Sequence, residues 1–105
     1  MVDERYTDWC ILVDGKPVPS GGVETMDWLK VDTNRIIGLY ETDDVSVSTV
    51  FCGIDQTFGI GDLDPEWFET LVRGGPLSWE IERYETIEQA REGHEAMVER
   101  VKGAA

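Results

Sequence analysis

The 105-residue chain has little of several things that catalytic and metal sites need. It holds one histidine, His94, and two cysteines, Cys10 and Cys52. One imidazole and two thiols widely separated along the chain cannot assemble an ordinary four-ligand zinc site. Both cysteines lie in apolar, strand-like contexts, where they read as buried thiols rather than a bridge. No serine or cysteine stands beside a candidate base in a recognisable nucleophile motif. Gly59-Ile60-Gly61 lacks the lysine and third glycine of a phosphate-cradling loop. Asp62, Asp64 and Glu66 alternate like calcium ligands, but the central glycine and closing glutamate of such a loop are missing, so a solvated acidic loop is the better reading. No catalytic residue, metal or cofactor is therefore assigned. No apolar run approaches the roughly 18 residues of a membrane helix. The opening Met1-Val2-Asp3-Glu4-Arg5 is acidic and has no apolar signal core, so the expected location is the cytoplasm and no membrane partner is expected.

Positive charge is the next scarcity. Nine Lys and Arg face 22 Asp and Glu, a net charge of −13, and the lysines are Lys16, Lys30 and Lys102. Such a field repels phosphate backbones and anionic membranes, which excludes direct nucleic-acid binding unless the few bases converge. Two explanations of the acidity stay open. One is adaptation to a salt-rich or GC-rich source. The other is an acidic surface that imitates nucleic acid and occupies a basic partner.

What is present is enough for one small domain over 1–105. Hydrophobic residues make up 41% of the chain, sufficient for a modest core without staples. The plainest pattern is Val45 to Gly59. Val45, Val47, Thr49 and Phe51 alternate with Ser46, Ser48, Val50 and Cys52, a period of two that predicts a strand. One face should meet the core; the serine face should meet water or a neighbouring chain. Arg35 to Glu41 predicts its hairpin partner, with a register loosened by Gly38. Near the N-terminus, Asp8 to Val13 is a short apolar run ending at the tight-turn dipeptide Asp14-Gly15. Lys16-Pro17-Val18-Pro19 cannot pair as a central strand. Val23 to Val31 predicts a short helix ended by Asp32-Thr33-Asn34. Residues 64–73 fit either a helix opened by Asp64-Pro65 or a strand. Leu77 to Tyr84 alternates like a half-buried strand. Thr86 and Gln89 form a capping box that opens a helix with Ile87, Ala90, His94, Met97, Val98 and Val101 on one stripe, and Gly103 as its C-cap. The expected fold is α+β: an antiparallel sheet of about four to five strands covered by a C-terminal amphipathic helix, with a short helix near the N-terminus.

Taken together, V-S-T-V-F-C-G-I-D at 47–55, F-G at 58–59, F-E-T-L-V at 68–72, Gly74-Gly75, Arg83-Tyr84-Glu85-Thr86 and G-H-E-A-M-V at 93–98 resemble a family of small, functionally uncharacterised phage and prophage proteins. D-G-K-P at 14–17 and Trp28 look similar to that family's opening. Order and spacing agree over about ninety residues. The family's more aliphatic version of 67–73 favours the strand there. Its members often carry histidine where this chain has Gln56, and a Gly-Pro-Pro loop where this chain has Gly61 to Glu66. The resemblance implies a non-enzymatic accessory protein acting in the host cytoplasm on a host component, such as a counter-defence protein that sequesters a small nucleotide signal. An acidic decoy for a nucleic-acid-binding host protein and a small enzyme using His94 are the alternatives.

Candidate ligand-binding residues cluster at two places. Asp55, Gln56 and Phe58 follow the main strand, whose exit should face the Gly93-His94 segment. Arg83 and Tyr84 lie beside the start of the last helix, where free amides attract anions. His94 on the apolar stripe is either a core histidine with one hydrogen bond or the lining of a pocket with Asp55 or Tyr84. Gly93 should permit close approach of the sheet backbone. Four tryptophans and a two-sided strand leave apolar area that a homo-oligomer would cover.

Overall fold

The computed structural model describes residues 9–57 and 63–104. Phe58, Gly59-Ile60-Gly61, Asp62 and Asp8 lie outside the described residues. Asp14 and Gly15 adopt φ of 52° and 77°, as a two-residue hairpin turn with both central residues at positive φ requires. They join β1 (Cys10–Val13) to β2 (Lys16–Pro19) in a two-stranded ribbon. Pro17 and Pro19 alternate along β2, so both missing N–H groups fall on its outer edge. The expected helix is α1 (Gly22–Leu29). Its expected stop is instead a second helix, α2 (Asp32–Arg35). The Asn34 amide donates to the Trp28 carbonyl at 3.0 Å, and Arg35 pairs with Asp32 at 2.9 Å. The first bond ties the polar stretch back to α1, and the second lies within α2.

Four strands then form an antiparallel sheet in sequence order: β3 (Ile36–Glu41), β4 (Ser46–Phe51), β5 (Phe68–Arg73) and β6 (Ile81–Tyr84). The ambiguous segment is therefore a strand. In β4 the alternation holds as expected: Val47, Thr49 and Phe51 are buried, while Ser46, Ser48 and Val50 are partly open. The register between β3 and β4 shifts between Ile36 and Gly38, where the glycine weakens the pairing.

The strand expected over Leu77 to Tyr84 is halved. Residues 74–79 form bends and turns, and Trp79 takes φ 74°. Trp79 N–H donates to the Val72 carbonyl at 2.7 Å, and Val72 N–H donates to the Glu80 carbonyl at 3.0 Å. Two residues thus oppose one, a bulge whose first position normally holds glycine. The Ser78 hydroxyl, accepting from Gly74 N–H at 3.0 Å, holds the turn.

α3 (Ile87–Ala104) lies across one face of the sheet. Its capping box forms: Gln89 N–H donates to Thr86 Oγ1, and Gln89 Oε1 accepts from the amides of Glu85 and Thr86, all within 3.2 Å. The helix continues through Gly103 rather than ending there. Ile87 and Ala90 join Phe51, Trp67 and Phe68 in one apolar cluster. Met97, Val98 and Val101 join Val47 and Val72 in a second. The opposite face of the sheet carries Leu39 and Ile81, 52% and 45% exposed.

Candidate functional site

Between the two apolar clusters runs a polar row. Thr49 on β4 pairs with Thr70 on β5, both fully buried. Their hydroxyls are 2.5 Å apart, Thr49 Oγ1 lies 2.7 Å from His94 Nδ1, and Tyr84 O–H donates to Thr70 Oγ1 at 3.0 Å. Each hydroxyl has one proton. With Tyr84 donating to Thr70, Thr70 donates to Thr49, and Thr49 donates to Nδ1. His94 is then neutral, with its proton on Nε2. Burial holds the His94 imidazole below its usual range, opposed by the Glu95 carboxylate. Burial also pushes the Tyr84 phenol up, opposed by the bond to Thr70.

Two glycines admit these rings. A Cβ on Gly38 would sit 2.6 Å from the His94 ring, and one on Gly93 would overlap the Tyr84 ring and hydroxyl. Gly93 thus accommodates a side chain rather than the sheet backbone. His94 is half-buried, lines a shallow recess with Leu39, Tyr40 and Glu95, and is joined to Tyr84 through two threonines.

The other expected site residues are not brought to it. The buried Asp55 carboxylate accepts from the Thr57 amide at 2.9 Å, the Thr57 hydroxyl at 2.7 Å and the Glu66 amide at 2.9 Å. These bonds fix its own loop. Gln56 N–H donates to the Glu66 carbonyl at 2.8 Å, and its side-chain amide to the Ile54 carbonyl at 3.2 Å. The exit of β4 therefore does not face His94: Gly38 and Thr49 do. Phe58 lies outside the described residues. Arg83 pairs with Glu69 at 3.2 Å, on the sheet face opposite Tyr84. The recess at this corner, about 260 Å³, is lined by Asp64, Glu66 and Glu85 as well as Arg83. The amides of Glu85 and Thr86, just before α3, are taken by the Gln89 side chain. Three carboxylates against one paired arginine disfavour an anion there.

A different recess, of about 360 Å³, opens between the β3–β4 turn, the 74–77 turn and the last turn of α3. Val45, Leu77 and Val101 supply apolar walls, with Tyr40 and Lys102 alongside. Lys102 Nζ lies 5.5 Å from the Tyr40 ring centroid, a cation over an aromatic face, and 3.7 Å from Glu99. Gly74 and Gly75 both have positive φ, and a Cβ on Gly74 would overlap the Asp44 carbonyl. The two turns therefore touch backbone to backbone and give the recess a firm rim. Nothing local in the sequence marks it, since Tyr40 and Lys102 are far apart along the chain.

Among the described residues no group of three or more His, Cys, Asp or Glu is placed to hold a metal ion, and no helix is long and apolar enough to cross a membrane. Burial, with the Glu69 charge, pushes the Cys52 thiol up to about 12. Compared with known proteins, the chain matches no family model, no curated protein and no solved structure.

Proposed function

We propose that the chain is a non-enzymatic binding protein of the accessory kind its phage-type resemblance implies, and that it holds a small, flat, anionic ligand of nucleotide type in the recess beside Tyr40 and Lys102. The observation that carries this is the lining of that recess: an aromatic ring, a lysine ammonium and apolar walls, with one acidic residue, Asp44, against the three at the Arg83 corner, around about 360 Å³. This volume lies in the lower part of the roughly 300–1,000 Å³ range of small-molecule sites, which suits a mononucleotide-sized ligand. The ring and the apolar walls would take the base, and Lys102 the phosphate. His94 and Tyr84, both half-buried, do not line this recess and are hydrogen-bonded to the threonine row.

Calorimetric titration of the protein with a panel of linear and cyclic mononucleotides tests this. At least one should give heat, and both Lys102→Ala and Tyr40→Ala should weaken it by about tenfold or more, the loss of roughly 1.4 kcal/mol. Absence of heat across the panel refutes the proposal.

A second reading, the acidic decoy, draws on α3. Glu88, Glu92, Glu95 and Glu99 are all exposed and, at spacings of four, three and four, lie along one side of the helix over about 16 Å. A carboxylate row of this kind could occupy a basic protein groove. Its binding would collapse with added salt, whereas the recess would respond far less.

A further inference from the structure

The sheet face turned away from α3 has a pattern that registers across strands. Leu39, Ser48, Leu71 and Ile81 lie in one row, in that order from β3 to β6. The adjacent row is Glu41, Ser46 and Arg73. Leucines thus flank a central serine, and beside them a glutamate and an arginine flank another.

The charge of this face is also unlike that of the chain. Among the described residues, the ionised groups that the strands carry on it are Glu41, Glu69, Arg73 and Arg83, two of each sign, on a chain of net charge −13. Glu69 and Arg83 pair with each other. Neither Glu41 nor Arg73 has an ion-pair partner among the described residues. Two copies of so acidic a chain repel over most of their surfaces, so a self-contact is favoured where charge balances.

From this register we infer that the open face is the interface of a homodimer, with the two-fold axis running along β4. A rotation about that line exchanges the positions of β3 and β5, each about 4.8 Å from β4. Leu39 of one protomer then meets Leu71 of its partner, and Glu41 meets Arg73. Each contact is made twice, as an isologous interface demands. Ser46 and Ser48 lie on the axis, where small side chains let the two sheets approach. Ile81 falls outboard, over the edge of the partner's β3, and covers the rim. A basic partner protein fits less well, because this face is neutral while acidic surface is plentiful elsewhere.

Charge reversal tests the pairing without touching the core, since Glu41 and Arg73 are both exposed. Molar mass is read by sedimentation equilibrium over a concentration series near 0.15 M salt, where the Debye length is about 8 Å. The unmodified protein should reach twice the 11.8 kDa chain mass. Glu41→Arg and Arg73→Glu should each weaken the dimer by about tenfold or more, because two opposite-charge contacts become like-charge ones. The double variant E41R/R73E should restore it. Circular dichroism and thermal midpoint, read on every variant, separate loss of contact from loss of fold. A chain that stays monomeric throughout, or a dimer indifferent to both single reversals, overturns the inference.

Discussion

Gly93→Ala reports on the polar row directly. In an exposed helix interior this change stabilises by about 1 kcal/mol. Here the added Cβ overlaps the Tyr84 ring, so either Tyr84 moves or α3 lifts. Moving Tyr84 breaks its bond to Thr70. Thr70 is fully buried and keeps its bond to Thr49, so losing the Tyr84 bond costs about 0.5–1.5 kcal/mol. Forcing extra volume into packed space adds about 1–3 kcal/mol. The losses exceed the gain, and the net expectation is a destabilisation of about 0.5–3.5 kcal/mol. With Tyr84→Ala already in place the obstacle is gone, and the same Gly93→Ala change should stabilise by about 1 kcal/mol. Its effect therefore reverses sign between the two backgrounds, which simple additivity cannot produce. Urea unfolding followed by tryptophan fluorescence, with m-values compared across the four proteins, measures all the terms. A Gly93→Ala protein more stable than its parent, or an equal effect in both backgrounds, refutes the packing argument.

Three further outcomes follow from the geometry. Because burial lowers the His94 pKa, the unfolded chain takes up the proton first, near pH 6.5. This stability contribution is fully present above about pH 6.5 and is lost as pH falls towards the folded value; urea midpoints between pH 8 and 5 should slope less steeply in His94→Asn than in the parent, and identical slopes would count against it. Trp79 is 70% exposed with φ 74°, so Trp79→Gly should relieve strain and raise stability by about 1 kcal/mol; a lowered urea midpoint would mean that the ring makes contacts worth more than the strain. With its thiol pushed up to about 12, Cys52 should react with a disulfide reagent at pH 8 far more slowly in the native than in the urea-unfolded protein, and equal rates in the Cys10→Ala background would refute that.

Legibility in the sequence followed the range of the signal. β4 was readable because alternation with period two is local, and the start of α3 because a capping box spans four residues. The segment 77–80 misled for the same reason. L-S-W-E-I-E-R-Y alternates as a strand should, yet Gly74 seats the preceding turn against Asp44 and Ser78 holds it, contacts that periodicity does not encode. Asp55 carried a usable local signal: an aspartate two residues before a threonine is a side-chain-to-backbone turn, and that is the bond it makes. The Tyr40–Lys102 recess joins distant positions, and pairing of that kind has no single-sequence signature.

The register of the sheet gives a reason for a domain this small to bury two hydroxyls in its centre, with an imidazole and a phenol closing the row from either side. Side-chain facing in a sheet repeats every two residues, so a slip of β5 against β4 by two would still bury an apolar face. Hydrophobic pattern alone cannot forbid that slip. The polar row does. Moving β5 by two residues would place Thr49 opposite Phe68 or Val72 and separate it from Thr70, so the buried bond between the two hydroxyls is lost, at about 0.5–1.5 kcal/mol. His94 and Tyr84 close the row from the helix and from the last strand, so all three elements are indexed to β4 together. The residues with the most reactive appearance thereby fix the register. The rim of the Tyr40–Lys102 recess and the rows of the open face both depend on β3, β4 and β5 lying in one alignment, so the ligand binding and the self-pairing proposed for them rest on that same register.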